Sequence, residues 1–171
     1  IRKPFFCSGC PHNSSLKVPE GKRALGGIGC HYMAVDSIES TEFFTQMGGE
    51  GTPWIGIAPF SHEKHVFANL GDGTYKHSGI LAIRASLDAN VNITYKILYN
   101  DAVAMTGGQE IGSNWDVEGI VKQVLAEGVK KVSILSEDPK RYNHLVKNEV
   151  KSLHRDAIIT EQEELSQYEG V

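Results

Sequence analysis

No apolar run in the 171 residues approaches the roughly 20 needed for a helix to span a bilayer, so no helical membrane anchor is expected. An excess of positive charge is also missing. Lys plus Arg number 17 against 21 Asp plus Glu, a net −4, and nucleic acid or an anionic membrane demands clustered cations. Cysteine is scarce: Cys7, Cys10 and Cys30 are the whole set, all in the first fifth of the chain. Three thiols cannot fully pair, which argues against a secreted disulfide framework and for a reducing, cytoplasmic setting. The start, Ile1-Arg2-Lys3-Pro4, has neither an initiator Met nor a signal-peptide pattern, so we expect a piece of a longer, multidomain protein. There is no internal repeat and no low-complexity segment.

What is present fits one globular domain spanning 1–171, with 40% apolar and 22% charged residues. Residues 1–23 carry Cys7-Ser8-Gly9-Cys10 with Pro, Ser and Lys, and read as an irregular loop. Ala24–Ile28, His65–Leu70, Ile93–Tyr99 and Lys131–Leu135 have the short β-rich pattern of buried strands. Helices are expected near Trp54–Ala58, over Ser78–Ala89, over Val117–Glu127 with Gly128 as its stop, and over Pro139–Leu153 with Pro at its start. Residues 155–171 form an acidic tail, free to stay mobile or to dock. Strands alternating with helices imply an α/β fold, a mostly parallel sheet with helices on both faces.

The residues with the clearest chemistry are Gly71-Asp72-Gly73 at one strand end and Asn100 at the end of the next. In a parallel sheet both ends open on the edge where ligands bind. An Asp and an Asn held there offer two hard oxygen ligands to one magnesium ion, whose octahedral shell is completed by phosphate oxygens and water. Flanking glycines let a diphosphate approach the main chain, and the following helix start offers free N–H groups. A lone Gly-Asp-Gly is more often a tight turn; the matched Asn100 is what favours the ion. The clustered thiols suggest metal or iron–sulfur ligation, with zinc held by Cys7, Cys10 and either His12 or His31, or simple free thiols, as the other readings.

Gly71-Asp72-Gly73 followed by Asn100 resembles the diphosphate-binding motif of thiamine-diphosphate enzymes. The segment Asn100-Asp101-Ala102-Val103-Ala104-Met105-Thr106-Gly107-Gly108-Gln109 is similar to one in the ferredoxin-dependent 2-oxoacid oxidoreductases. Phe6-Cys7-Ser8-Gly9-Cys10-Pro11-His12, Gly27-Ile28-Gly29-Cys30-His31 and Gln46-Met47-Gly48-Gly49-Glu50-Gly51 resemble the indolepyruvate branch of that family. The likeness runs from about Phe6 to about Tyr142.

The resemblance implies a thiamine-diphosphate-binding domain of an enzyme that oxidatively decarboxylates an arylpyruvate to an acyl-coenzyme A and passes electrons to ferredoxin or a similar acceptor. It implies magnesium on Asp72, Asn100 and the main-chain carbonyl of Ala102. Gly71, Gly73 and Thr74 would line the diphosphate on one side, Ala104 and Met105 on the other. Ile28, Gly29, Cys30 and His31 would border the cofactor, with Gln46, Met47 and Gly48 close by. Cys7, Cys10 and Cys30 match three cluster-ligating cysteines, and a fourth thiolate would come from outside the chain. The activating glutamate belongs to a separate pyrimidine-binding domain or subunit, so the chain alone is expected to be inactive, and the parent to be a homo-oligomer.

Other residues leave alternatives open. His31 is a weak catalytic candidate. His77 either reaches the diphosphate or caps the helix start. His12 either ligates a metal or packs in its loop, while His62, His65, His144 and His154 are expected at the surface or in the core. Glu50 is either an acid or a residue that sets its loop. Met105 either props the cofactor or fills the core. Trp54, Phe60 and Trp115 either shape an aromatic pocket or are buried for stability. A non-oxidative thiamine-diphosphate decarboxylase or synthase, or a metal-binding interaction module, are the rival functions.

Overall fold

The computed structural model describes residues 5–37, 40–112 and 116–171. Its main sheet has four strands, β1 (Ala24–Gly26), β2 (Thr41–Phe44), β3 (Val66–Gly71) and β4 (Ile93–Leu98), in the spatial order β2-β1-β3-β4. Every pairing in it is parallel, and the β3–β4 ladder runs in register from Val66 opposite Ile93 to Gly71 opposite Leu98. Parallel neighbours require crossover connections, and helices supply them. The fold is therefore α/β, as the sequence implies.

Around the sheet lie α1 (His12–Ser15), α2 (Ala34–Ser37) and α3 (Thr52–Ile57). Then α4 (Asp72–Thr74), a π-helical turn over Tyr75–Gly79 and α5 (Ile80–Asp88) run on without a break. Alternation along β3 sends Val66, Ala68 and Leu70 to one face, where they meet Trp54 of α3 and Ile83 of α5. Leu98 of β4 sits on the other face, under Phe6, Leu16 and Ala34. Burial of such side chains contributes roughly 1.5–3 kcal/mol each and fixes the sheet between its two layers.

Past β4 the chain makes a small antiparallel hairpin, β5 (Ala102–Val103) with β6 (Gln109–Glu110). Next comes α6 (Val117–Glu127), capped by the Asp116 carboxylate accepting from Gly119 N–H at 2.8 Å and ended by left-handed Gly128. A second parallel pair, β7 (Val132–Ser136) and β8 (Val150–His154), packs on α6 through Val121, Ile134, Leu145 and Val150. A cavity of about 460 Å³, lined among others by Tyr95, Ile97, Ile120, Val132 and Ile134, separates this pair from β4.

Three readings are corrected. The expected helix Pro139–Leu153 is a 3-10 helix over Pro139–Leu145 followed by β8. The helix expected from Ser78 starts at Asp72, and residues 1–23 contain one helical turn, α1. Of the two outcomes left open for the tail it takes the docked one, folding as α7 (Ile158–Leu165) with Glu161, Gln162 and Ser166 buried, and Gly170 N–H donates to Asn92 Oδ1 at 2.9 Å. β2 has no counterpart in the sequence reading.

Candidate cofactor and metal site

Asp72 is the first helical residue after β3 and is buried. Its Oδ1 accepts from Gly73 N–H at 2.8 Å, and its Oδ2 accepts from Asn100 N–H and Asp101 N–H, each at 2.7 Å. The β3–β4 register makes this possible, because it brings the two strand ends level. Asp101 turns the chain with φ 57°, and Ala102 N–H donates to Asn100 Oδ1 at 3.2 Å. The Asp72 carboxylate and the Asn100 side-chain oxygen are thus both held at the 100–102 turn. Both are hard oxygens of the type magnesium takes, and a carboxylate accepting three N–H bonds retains lone-pair capacity.

The glycine after Asp72 sits against the hairpin: a Cβ on Gly73 would lie 3.1 Å from Val103 Cγ2. Beyond Val103, Ala104–Thr106 is an exposed 3-10 turn, and Met105 is 52% exposed. Met105 is therefore not core filler. Thr74, buried, donates from Oγ1 to Ile28 O at 3.3 Å, tying the Asp72 turn to the Ile28–His31 turn.

Gly48 closes the other side. Its φ is +89°, and a Cβ would come 2.3 Å from Ser78 Oγ, so only glycine lets the Gln46–Gly48 turn lie on the π-helical segment. Gln46 and Met47 are exposed there. His77 is exposed and bonded to its neighbour, Nδ1 to Ser78 Oγ at 2.9 Å.

His31 is 3% exposed, and its ring lies against Gly29 and Gly71. Burial, and then the neighbouring His12, push its pKa down to about 4, so the ring is neutral at physiological pH; its Nε2 is buried with no hydrogen-bond partner among the described residues. A buried, unpartnered nitrogen beside the two glycine turns is what a polar ligand group would satisfy.

Glu50 is fully buried, with Oε2 accepting from Gly48 N–H at 2.8 Å and Oε1 from Ile28 N–H at 3.4 Å. Burial raises its pKa and the backbone N–H groups oppose that. Its bonding role was not legible from the sequence, whose only signal was an acid set among glycines.

The cysteines contrast with this. Cys7 is exposed, Cys10 and Cys30 are half-buried, and all three are free thiols. Burial raises the Cys30 pKa, with Cys10 and Cys7 close enough to add to it. Among the described residues no group of three or more His, Cys, Asp or Glu is arranged to hold a metal ion. The thiols are neighbours without forming a ligand set, and the same holds for the zinc reading with His12 or His31.

Of the remaining candidates, Trp54 is buried and donates from Nε1 to Asn92 O at 3.0 Å, while Phe60 is 90% exposed, so these two form no pocket. Trp115 lies outside the described residues. His65 is a core residue, bonded to Thr94 Oγ1 at 2.8 Å and edge-on to Phe67. His62, His144 and His154 are at the surface.

A buried Asp turn at the carboxyl edge of a parallel sheet lies where α/β domains bind their ligands. The chain belongs to the family described as thiamine pyrophosphate enzyme, C-terminal TPP binding domain, which matches residues 27–146. It is also similar to curated proteins named indolepyruvate oxidoreductase subunit IorA. The Archaeoglobus fulgidus protein is 29% identical over 151 residues, covering 77% of this chain and 24% of that protein. The Thermococcus kodakarensis protein is 27% identical over 150 residues, covering 76% and 23%. The chain thus spans about a quarter of the length of these relatives. No solved structure matches it.

Proposed function

We propose that this chain is the diphosphate- and magnesium-binding part of an oxidoreductase that oxidatively decarboxylates an arylpyruvate of the indolepyruvate type to an acyl-coenzyme A. The observation that carries the reading is the Asp72 carboxylate bound to the main chain of Asn100 and Asp101 directly ahead of Gly73. Asp72, Asn100 and the Ala102 carbonyl would hold magnesium. Gly71, Gly73, Thr74, Ala104 and Met105 would line the diphosphate, while Ile28–His31 and Gln46–Gly48 would border the rest of the cofactor. Thiamine diphosphate supplies the carbanion chemistry at the 2-oxo carbon; these residues bind it, orient it and shield its charge.

In this reading the activating carboxylate comes from a pyrimidine-binding domain or subunit of the same enzyme, and the isolated chain has no turnover. Cys7, Cys10 and Cys30 hold an iron–sulfur cluster only when a fourth thiolate arrives from outside the chain, and the electrons leave for ferredoxin or a similar acceptor. The curated relatives are named as subunits, which supports a multi-subunit enzyme. We place it in the cytoplasm, as a homo-oligomer; no helix among the described residues is long and apolar enough to cross a membrane.

The test is calorimetric titration of the full-length protein with thiamine diphosphate, with and without magnesium. Binding should require the metal, and Asp72→Ala should weaken it on the order of 100-fold or more, since a magnesium ligand and three hydrogen bonds go together. Equal binding by wild type and D72A would remove the reading. Iron content of the intact protein separates the oxidative enzyme from a non-oxidative thiamine-diphosphate enzyme.

A further inference from the structure

Glu50 is a carboxylate in an unusual position. It has no exposed surface, yet among the described residues no cation is a hydrogen-bond partner; both oxygens accept from main-chain N–H groups, Gly48 at 2.8 Å and Ile28 at 3.4 Å. These amides belong to the two separate turns that border the Asp72 turn. The surroundings are shaped to it. A Cβ on Gly27 would fall 2.2 Å from Glu50 Cγ, so the Ile28 turn passes the side chain at a distance only glycine permits. Behind it, Tyr95 OH donates to the Glu50 carbonyl at 3.0 Å and also meets Ser86 Oγ at 2.9 Å, anchoring the segment to β4 and α5.

We propose that Glu50 is a positioning residue for the cofactor: its two oxygens hold the Ile28–His31 turn and the Gln46–Gly48 turn to each other beside the Asp72 turn. The inference rests on the thiamine-diphosphate reading. It assigns Glu50 no contact with substrate and no proton transfer. Burying a charge is costly unless its oxygens are hydrogen-bonded, and here that bonding joins the neighbouring Gly48 turn to a turn whose Ile28 lies 22 residues from Glu50 in the chain. Each turn is separately tied to the helix after β3, one through Thr74 and the other through the close approach at Ser78. Glu50 closes the third side of that triangle.

The test uses full-length protein carrying Glu50→Gln, which keeps size and one acceptor, and Glu50→Asp, which keeps charge but is one methylene short. For E50Q, thiamine diphosphate with magnesium should bind about 10- to 100-fold more weakly by calorimetry. KM for the cofactor should rise accordingly, while kcat at saturating cofactor stays within about twofold. E50D should not restore binding, since its shorter arm cannot reach both turns.

Hydrogen exchange in the cofactor-free protein gives a second readout. Ile28 and Gly48 amides should be protected in the wild type and lose protection in E50Q. Unprotected amides in the wild type, or E50Q binding with wild-type affinity, would overturn the clamp. A large fall in kcat at saturating cofactor would also overturn it, by making Glu50 a catalytic residue. If the wild type bound no thiamine diphosphate, the functional reading would fall, and amide exchange would still decide whether Glu50 joins the turns.

Discussion

The Asp72 turn and the cysteine segment are both candidate ligand sites, but only one is assembled by the chain itself. At Asp72 three main-chain N–H groups orient a buried carboxylate, and a parallel ladder levels the two strand ends. At Cys7, Cys10 and Cys30 the thiols lie near one another, with Cys10 N–H donating to Cys7 O at 3.0 Å, but among the described residues they are not arranged as a group that could hold a metal ion. A site completed within one fold can be held by main-chain hydrogen bonds. One that needs a ligand from elsewhere is left open until that ligand arrives.

Glycines offer the sharpest way to break this contrast. Gly48 and Gly9 both have positive φ, +89° and +73°. A Cβ on Gly48 would collide with Ser78, whereas one on Gly9 would meet nothing within 4 Å. Gly48→Ala should therefore cost about 3 kcal/mol in denaturant unfolding, from overpacking added to left-handed strain. Gly9→Ala should cost only about 1 kcal/mol, from strain alone. Equal costs would mean that the site turn is no tighter than the cysteine loop.

Acid titration probes the sheet that carries the site. His65 is buried, and burial, with a smaller contribution from Lys22, pushes its pKa down to about 4 from an ordinary 6.5. The unfolded chain then binds the proton more readily than the folded one. The stabilisation is complete above pH 6.5 and is lost as pH falls toward 4. At pH 5 the loss from His65 should be about 2 kcal/mol relative to pH 8, with His31 adding its own, and His65→Gln should remove the His65 share of that slope. An unchanged slope in H65Q would assign the acid sensitivity elsewhere.

The smallest effect is in the thiols. Cys7 is exposed, while burial raises the Cys30 pKa and lowers its thiolate fraction. At pH 8 Cys7 should react with a thiol reagent faster than Cys30, by about tenfold or more. Similar rates would indicate that the two thiols share one environment.

The elements that were legible are those with local chemistry. Gly71-Asp72-Gly73 breaks a β-rich run and Gly128 ends α6, so these boundaries follow from turn residues. Pro139 reads as a helix start, and a short helix does begin there, capped by Asp138. It stops at Leu145 because Val150–His154 pairs with β7 and Val150 enters a shared core, a contact that residue spacing does not reveal. The tail's acidity left mobile and docked states equally open, and packing chose the second: Glu161 is buried against Ser133 Oγ and Lys151.

By itself the sequence determined the α/β class, the strand-end position of Asp72 and Asn100 and the identity of the candidate ligands, because periodicity and turn residues act over a few positions. Only the tertiary structure decided that the Asp72 carboxylate binds the main chain of the next strand's end, that Glu50 joins two turns, and that the three thiols stay unassembled. Those facts depend on groups 22 or more residues apart meeting within hydrogen-bond distance. Register and packing control that distance, and no local pattern records it.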